Sequence, residues 1–372
     1  MKKYIILIIT IIHSLNNCKA QSSVITTSVP YMLIGSDSRA GGMGNVGVAT
    51  NADGNSIFWN NSKTLFSNNP FQIAVNYTSW FREVGAKDIY LISSSGYKQI
   101  DDKSSYTVGL RYFSQGSIQV TNSNGDIQSI YRPRDWDISF GYNRKLNNRI
   151  GLGITLRYIN SNLSAIGNSN FALYGENTQG IAGDISIYHN GLNQNGEGFN
   201  WGINISNLGS KMSYKNISST EKDYLPANMA IGGNYNWVLN ENNKISLALD
   251  INKLLVPIFP KESGIDKTDS LNMIEYRKGS VINSWFKSFS DGGGFLNSLS
   301  YSIGAEYLYD HLFAARIGYY TEDKNRGNRK FLTAGVSVYY KKIGINLSYL
   351  VPTSNSERNI LANTMRFGIV FE

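Results

Sequence analysis

The chain has 372 residues, 35 Lys and Arg against 27 Asp and Glu, a formal charge of +8 and one cysteine. A single thiol excludes a disulfide framework, and a modest charge without a basic run excludes nucleic acid as a partner. With 24 Tyr, 16 Phe, 6 Trp and 36 Gly beside only 7 Pro, the composition points to an all-β protein with one wet and one greasy face.

The chain opens as a leader. Lys2 and Lys3 precede an apolar run from Tyr4 to Ile12, and a polar stretch then ends at Ala20. A basic start, a short apolar core and a small residue before the cut make a secretory signal peptide. The apolar run is about nine residues, well below the ~20 that a membrane-spanning helix needs. Cleavage is expected after Ala20, so residues 1–20 are read as the signal peptide. Cys18 follows Asn17 rather than the small residue of a lipobox, and no lipid anchor is expected. Losing Lys2, Lys3, Lys19 and Cys18 leaves a charge of +5 and no thiol.

Residues 21–70 contain Gly42, Gly44 and Gly47 at the spacing G-x-G-x-x-G, the dinucleotide-binding fingerprint. That fingerprint carries meaning only between a buried strand and a helix. Ile34, Gly35, Ser36, Asp37 and Ser38 do not make a buried strand, and turn formers from Ala49 to Asn55 stand where the helix should be. No cofactor is expected. The segment is rich in Gly, Asn, Ser and Asp and has no period, which reads as an irregular plug at the periplasmic mouth or in the lumen of a barrel. Its glycines allow positive φ and close backbone approach. Asp37 and Arg39 are expected to pair with polar lumen residues, and Trp59 to wedge against the wall.

Past residue 70 the period is two. Ile150, Leu152, Ile154, Leu156 and Tyr158 alternate with Gly151, Gly153, Thr155 and Arg157, and Met365, Phe367, Ile369 and Phe371 with Arg366, Gly368 and Val370. Fourteen strands are expected, at about 71–77, 88–98, 105–113, 135–142, 150–160, 182–189, 200–208, 227–238, 244–254, 299–308, 312–321, 330–339, 343–351 and 363–371. Most have the length of a tilted membrane-spanning strand. A soluble sandwich also alternates, but the connections decide against it. Those after even-numbered strands are short, whereas 114–134, 161–181, 209–226 and 255–298 after odd-numbered ones are long. Short turns on one side and long loops on the other are the outer-membrane barrel rule, and an even count puts both ends on the periplasmic side. The expected fold is therefore an all-β, 14-stranded antiparallel transmembrane β-barrel, 71–372, with an N-terminal luminal plug, 21–70. Tyr158, Tyr188, Tyr301, Tyr307 and Tyr349 are expected to form interfacial girdles.

The longest connection, 255–298, is expected on the extracellular side. Within it Val281, Ile282, Trp285, Phe286 and Phe289 make an apolar stripe at helical spacing. Gly292, Gly293 and Gly294 then stop the helix and provide a hinge. The stripe either packs over the barrel mouth or anchors a partner; on the second reading Trp285, Phe286 and Phe289 are the candidate partner-binding residues, because aromatic clusters concentrate binding energy. Catalysis is not expected. The mature chain has only His189 and His311, both at short turns, with no serine in a nucleophile-elbow context and no metal-ligand spacing.

Several stretches carry a family resemblance. DSRAGGMG at 37–44 followed by SIFWN at 56–60, NLGS at 207–210, LPAN at 225–228, GAEY at 304–307, RIGYY at 316–320, KNRGNRKF at 324–331 and NTMRF at 363–367 together resemble the PorV family, FadL-like outer-membrane components of the type IX secretion system. Gly35 and Ser36 depart from the proline-aspartate start more usual there, and Gly42 from another small residue. The resemblance implies fourteen strands and a plug motif comprising Asp37, Arg39, Gly41, Gly42, Met43, Gly44, Trp59 and Asn60. It also implies a non-catalytic component that docks on the large translocon barrel, receives cargo proteins by their C-terminal secretion domain and escorts them to a surface sortase (attachment) complex, with outer-membrane lipid around it. The alternative is a FadL-type transporter of hydrophobic solutes such as fatty acids. A lipid A deacylase, also linked to such proteins, is disfavoured by the missing catalytic cluster.

Overall fold

From Phe71 onward, β-branched and aromatic residues alternate with Gly, Ser, Thr and Asn, so each extended segment has one face that water rejects and one that can take hydrogen bonds. The computed structural model describes residues 25–163, 177–214, 222–260, 263–291, 294–353 and 361–372. The expected signal peptide, 1–20, lies outside the described residues. The strands are β1 (Phe71–Ser79), β2 (Ile89–Asp101), β3 (Ser104–Gln115), β4 (Ile118–Thr121), β5 (Ile127–Tyr131), β6 (Arg134–Lys145), β7 (Ile150–Asn162) and β8 (Asn177–His189). They continue as β9 (Gly198–Gly209), β10 (Asn228–Val238), β11 (Asn243–Leu254), β12 (Leu299–Tyr309), β13 (Phe313–Glu322), β14 (Lys330–Tyr340), β15 (Ile343–Pro352) and β16 (Thr364–Phe371).

All but β4 and β5 join one closed antiparallel barrel of fourteen strands. Closure is made by β1 against β16, from Ile73 opposite Phe371 to Thr78 opposite Arg366. It leaves no sheet edge, which a bilayer core without water demands. Outward positions carry Ile154, Leu156, Ile185, Ile317 and Ile369, all exposed. Inward neighbours such as Ser105, Ser139 and Asn143 are fully buried. An apolar band of this extent around a cylinder is stable against hydrocarbon, not water. The protein is thus a multi-pass β-barrel of the outer membrane. The connections 102–103, 146–149, 239–242 and 341–342 are short and share one end, and the long ones share the other.

Three features differ from expectation. Within 114–134, β4 and β5 form a separate hairpin, tightened by Asn122 Oδ1 accepting from Asn124 N and Asp126 N and by Gly125 at φ 87°. Within 255–298 a helix, Asp266–Lys278, precedes the expected one. Asp266 and Asp269 sit in its first turn and Arg277 and Lys278 in its last, matching the helix dipole. The expected helix is present as Val281–Lys287, but it ends ahead of the glycines. Gly292 and Gly293 lie outside the described residues, so the hinge does too. Lastly, Tyr188 is no girdle residue. It shares inward parity with Asp184 and Ser186, is buried, and packs on Phe66 with ring centroids 5.7 Å apart.

A closed barrel keeps its shape in detergent until heated. Unboiled protein is expected to migrate faster than boiled protein on a denaturing gel; equal mobility with a soluble periplasmic location contradicts this fold.

Candidate functional site: the lumen segment and the outer mouth

An inward wall of Ser, Thr, Asn, Asp and Arg needs hydrogen-bond partners. Residues 25–70 supply them along the depth of the lumen. The segment begins near the long-loop end, where Ser28 N donates to Tyr224 O at 3.0 Å and Val29, Tyr31 and Met32 join a buried cluster with Leu91, Phe113, Ile159 and Leu225. It finishes at the short-turn end, where Thr64 and Ser105 hydroxyls meet at 2.8 Å and Tyr97 OH donates to Asn69 O at 3.0 Å.

Midway lies a short helix, Ser38–Gly42. Asp37 caps it, with Oδ1 accepting from Ala40 N at 2.6 Å and Oδ2 accepting from Trp59 Nε1. Burial raises the Asp37 carboxyl above its ordinary range, with Asp53 adding to the effect and the Ala40 and Trp59 donors opposing it. Arg39 reaches across to β12, its Nε and Nη2 donating to Glu306 at 3.0 and 2.8 Å, while Nη1 binds Asp53 at 2.8 Å. Glu306 also accepts from Arg316 Nε at 2.5 Å. Two guanidiniums thus clamp one buried carboxylate, and the pairing is bidentate on the Arg39 side. Asn60 Nδ2 donates to Ile187 O of β8 at 2.9 Å, and Asp250 of β11 accepts from Gly47 N and Val48 N at 2.7 and 3.0 Å.

The glycines serve close approach. A Cβ on Gly42 would lie 3.0 Å from Gly335 Cα of β14. Gly44 has φ 68°, donates to Thr333 Oγ1 at 2.8 Å, and a Cβ there would lie 2.7 Å from the Tyr319 backbone. A Cβ on Gly41 would strike Arg366. The wall reciprocates: Gly304 and Gly318 leave room for Met43, and a Cβ on Gly318 would lie 2.1 Å from the Met43 carbonyl carbon. Gly47 packs flat on Trp59, at 2.3 Å from a would-be Cβ to Cδ2. Trp59 packs over Gly47 and bonds Asp37 within the segment. Asp37, Arg39, Gly41, Gly42, Met43, Gly44, Trp59 and Asn60 form one packed unit with the wall.

The wall residues were not singled out from sequence. Asp250 and Glu306 carried a signal, since each is a carboxylate at inward parity in a lipid-spanning strand. A second ladder crosses β3, β6, β7 and β8. Arg111 Nε binds Asp137 at 2.8 Å, Arg157 Nη2 binds Asp184 at 2.8 Å, and Tyr31 OH donates to Asp137 at 2.9 Å.

At the long-loop end the helices of 255–298 are tied to the connection between β9 and β10 and to the start of their own segment. Lys211 Nζ donates to Arg277 O and Gly279 O at 2.6 and 2.5 Å, and Tyr276 OH to Pro257 O at 3.0 Å. Trp285 is half-buried, Phe286 is 71% exposed, and Phe289 stacks on Phe295 at 6.3 Å. These three sit apart from the plug-motif unit. Between residues 25–36 and the outer ends of β9 to β13 lies a cavity of about 420 Å³, lined by Met32, Leu254, Leu299, Tyr320, Arg111 and Arg326 among others. His189 stacks on Trp201 and His311 lies in the β12–β13 turn. Among the described residues no group of three or more His, Cys, Asp or Glu is placed to hold a metal ion.

The model of the type IX secretion system protein PorV family matches residues 17–261. No curated protein sequence matches. Among solved structures the chain is similar to the Pseudomonas putida toluene transporter TodX, with 12% identity, 94% of this chain and 98% of that chain covered, and a TM-score of 0.52. It is also matched by the Ralstonia pickettii toluene transporter TbuX, with 12% identity, coverage of 90% and 96%, and a TM-score of 0.49. A Pseudomonas aeruginosa FadL homologue matches with 11% identity, coverage of 94% and 97%, and a TM-score of 0.44. The likeness to TodX is one of barrel fold alone.

Two substitutions test the packed unit. Arg39→Ala strands Asp53 and half of the clamp on Glu306, and is expected to cost about 3 kcal/mol, with Arg39→Lys recovering part. Gly318→Val forces Met43 off the wall, at about 1–3 kcal/mol. Both are read from the temperature at which the fast-migrating folded band is lost; unchanged temperatures contradict the packing described.

Proposed function

The chain belongs to the PorV family of type IX secretion system proteins, and from that membership we propose that it is a non-catalytic outer-membrane component that binds cargo at the translocon and shuttles it to the surface attachment complex. Its partners on this reading are the translocon barrel, cargo with a C-terminal secretion domain, the sortase complex and outer-membrane lipid. Residues 1–20 are the signal peptide, 21–70 a plug, 71–372 the barrel, and 255–298 an extracellular recognition loop.

The observation that carries this reading is the way residues 25–70 are held. A lumen stitched from Ser28 at one end to Asn69 at the other favours a scaffold over an open channel. Recognition then falls to loops that a rigid scaffold presents. Of these, 255–298 carries Ile282, Phe286, Phe295 and Leu296 exposed, an apolar surface that water alone does not favour. The placement of His189 and His311 at turns between different strand pairs, away from the outer mouth, supports the non-catalytic part.

A second reading, a FadL-type transporter of hydrophobic solutes, is favoured by the partly apolar outer cavity of about 420 Å³. It requires the Arg39 clamp and the second charged ladder to part during passage. Deleting the gene separates the two. On the secretion reading, cargo is left unreleased or unattached while outer-membrane lipid composition is broadly kept. Normal cargo display with lost uptake of a labelled hydrophobic solute supports the transporter instead.

Replacing Trp285 and Phe286 by Ala is expected to leave the folded barrel intact and weaken cargo or translocon capture. The exposure of Phe286 allows a finer test. Phe286→Ala alone should reproduce most of the capture defect, because truncating an exposed anchor removes partner contact and little intramolecular packing. Wild-type capture in both variants removes the loop from recognition.

A further inference from the structure

Where the 255–298 loop meets the barrel rim, charged side chains are buried together. Asp291 Oδ2 accepts from Ile258 N at 3.1 Å and lies 3.5 Å from Arg326 Nη2. Lys253, at the end of β11 and fully buried, donates to Leu254 O at 3.1 Å and sits over the Phe289 ring at 5.5 Å. Arg326 and the buried Lys253 therefore lie at the foot of the loop, where Asp291 bonds its end to its start.

Arg326 is the anomaly. Its side chain is only 10% exposed, yet Nη1 and Nη2 have no hydrogen-bond partner among the described residues. The approach to Asp291 is too long to be a hydrogen bond of ordinary strength. A guanidinium presents a planar fork of donors, and burying the fork without acceptors is unfavourable. The same residue lines the outer cavity, whose wall also carries Leu254, Leu299 and Tyr320. The neighbouring cation Arg329 is already taken, with Nε and Nη2 on Glu322 at 2.7 and 2.8 Å. Arg111 also lines the cavity with Nη2 unpaired, but its Nε is committed to Asp137. Among the described residues of this rim, Arg326 holds a buried guanidinium with both terminal nitrogens lacking a hydrogen-bond partner and only a long approach to its counter-charge.

We infer that the outer-mouth cavity binds a small ligand with an oxyanion head, a carboxylate or a phosphate bridging Nη1 and Nη2 of Arg326 while the apolar part lies against Leu254, Leu299 and Tyr320, and that this ligand competes with Asp291 for Arg326. The planar fork matches either head group bidentately. Because Asp291 also holds Ile258 N, drawing Arg326 away weakens the anchor of the loop. By linkage, whatever binds the loosened loop tightens the anion and the reverse. The site rests on rim chemistry and stands apart from the secretion reading.

The test uses the mature protein in nanodiscs of neutral lipid, titrated with hexanoate, hexyl phosphate, inorganic phosphate and hexanol by calorimetry. Tryptic cleavage after Lys287 reports loop release. The two hexyl anions are expected to bind at least about tenfold more tightly than hexanol and to speed cleavage. Inorganic phosphate binding more weakly than hexyl phosphate supports the apolar contact; equal binding overturns the part of the inference that seats an apolar chain on Leu254, Leu299 and Tyr320. Arg326→Gln should lower anion affinity at least about tenfold. Asp291→Asn should raise it, a gain that misfolding cannot produce. Equal binding of hexanol and the anions, or unchanged anion affinity in Arg326→Gln, overturns the site. Unchanged affinity in Asp291→Asn overturns the competition.

Discussion

A barrel in hydrocarbon must turn its polar strand faces inward, and something must then satisfy them. The rest of this structure depends on that constraint. Here residues 25–70 supply partners to that inward wall, with Arg39, Gly47 and Asn60 bonded to Glu306, Asp250 and Ile187 O, and Asp37 to Ala40 N of the same segment. In the Arg39–Glu306–Arg316 clamp three charges share short bonds where little water screens them.

The same constraint explains the glycines. Backbone meets backbone this closely where at least one side lacks a Cβ, so Gly42 faces Gly335, and Met43 sits over Gly304 and Gly318. A spacing that mimics a nucleotide fingerprint arises from packing. Gly44 alone of the three needs the left-handed conformation as well. With residues 25–70 packed into the wall, the exposed apolar residues of 255–298 stand on the long-loop side, as do Ile118, Ile127 and Ile130 of the β4–β5 hairpin.

The barrel was legible in the sequence because its signal is repeated in every strand and backed by the turn rhythm. All fourteen expected strands are present. Their outer ends were not fixed well. β8 begins at Asn177, about five residues ahead of expectation, because Asn177, Thr178, Gln179 and Gly180 lack apolar alternation and are held by pairing to β7. The β4–β5 hairpin and the helix Asp266–Lys278 went unread because neither has a continuous apolar face, and tertiary ties such as Lys211 to Gly279 O hold the latter. Tyr188 differs from its expected place because strand parity, not nearness to a strand end, decides which face a side chain takes. That Arg39 would find Glu306, 267 positions away, no local pattern could reveal.

Affinity purification of the tagged protein from native membranes addresses the central claim, a scaffold barrel that recognises proteins rather than conducts solutes. The account predicts co-elution of a very large barrel together with proteins bearing the C-terminal secretion domain, and loss of both when the aromatic face at Trp285 and Phe286 is truncated. Elution of the barrel alone, from cells whose uptake of a labelled hydrophobic solute depends on it, would contradict the account.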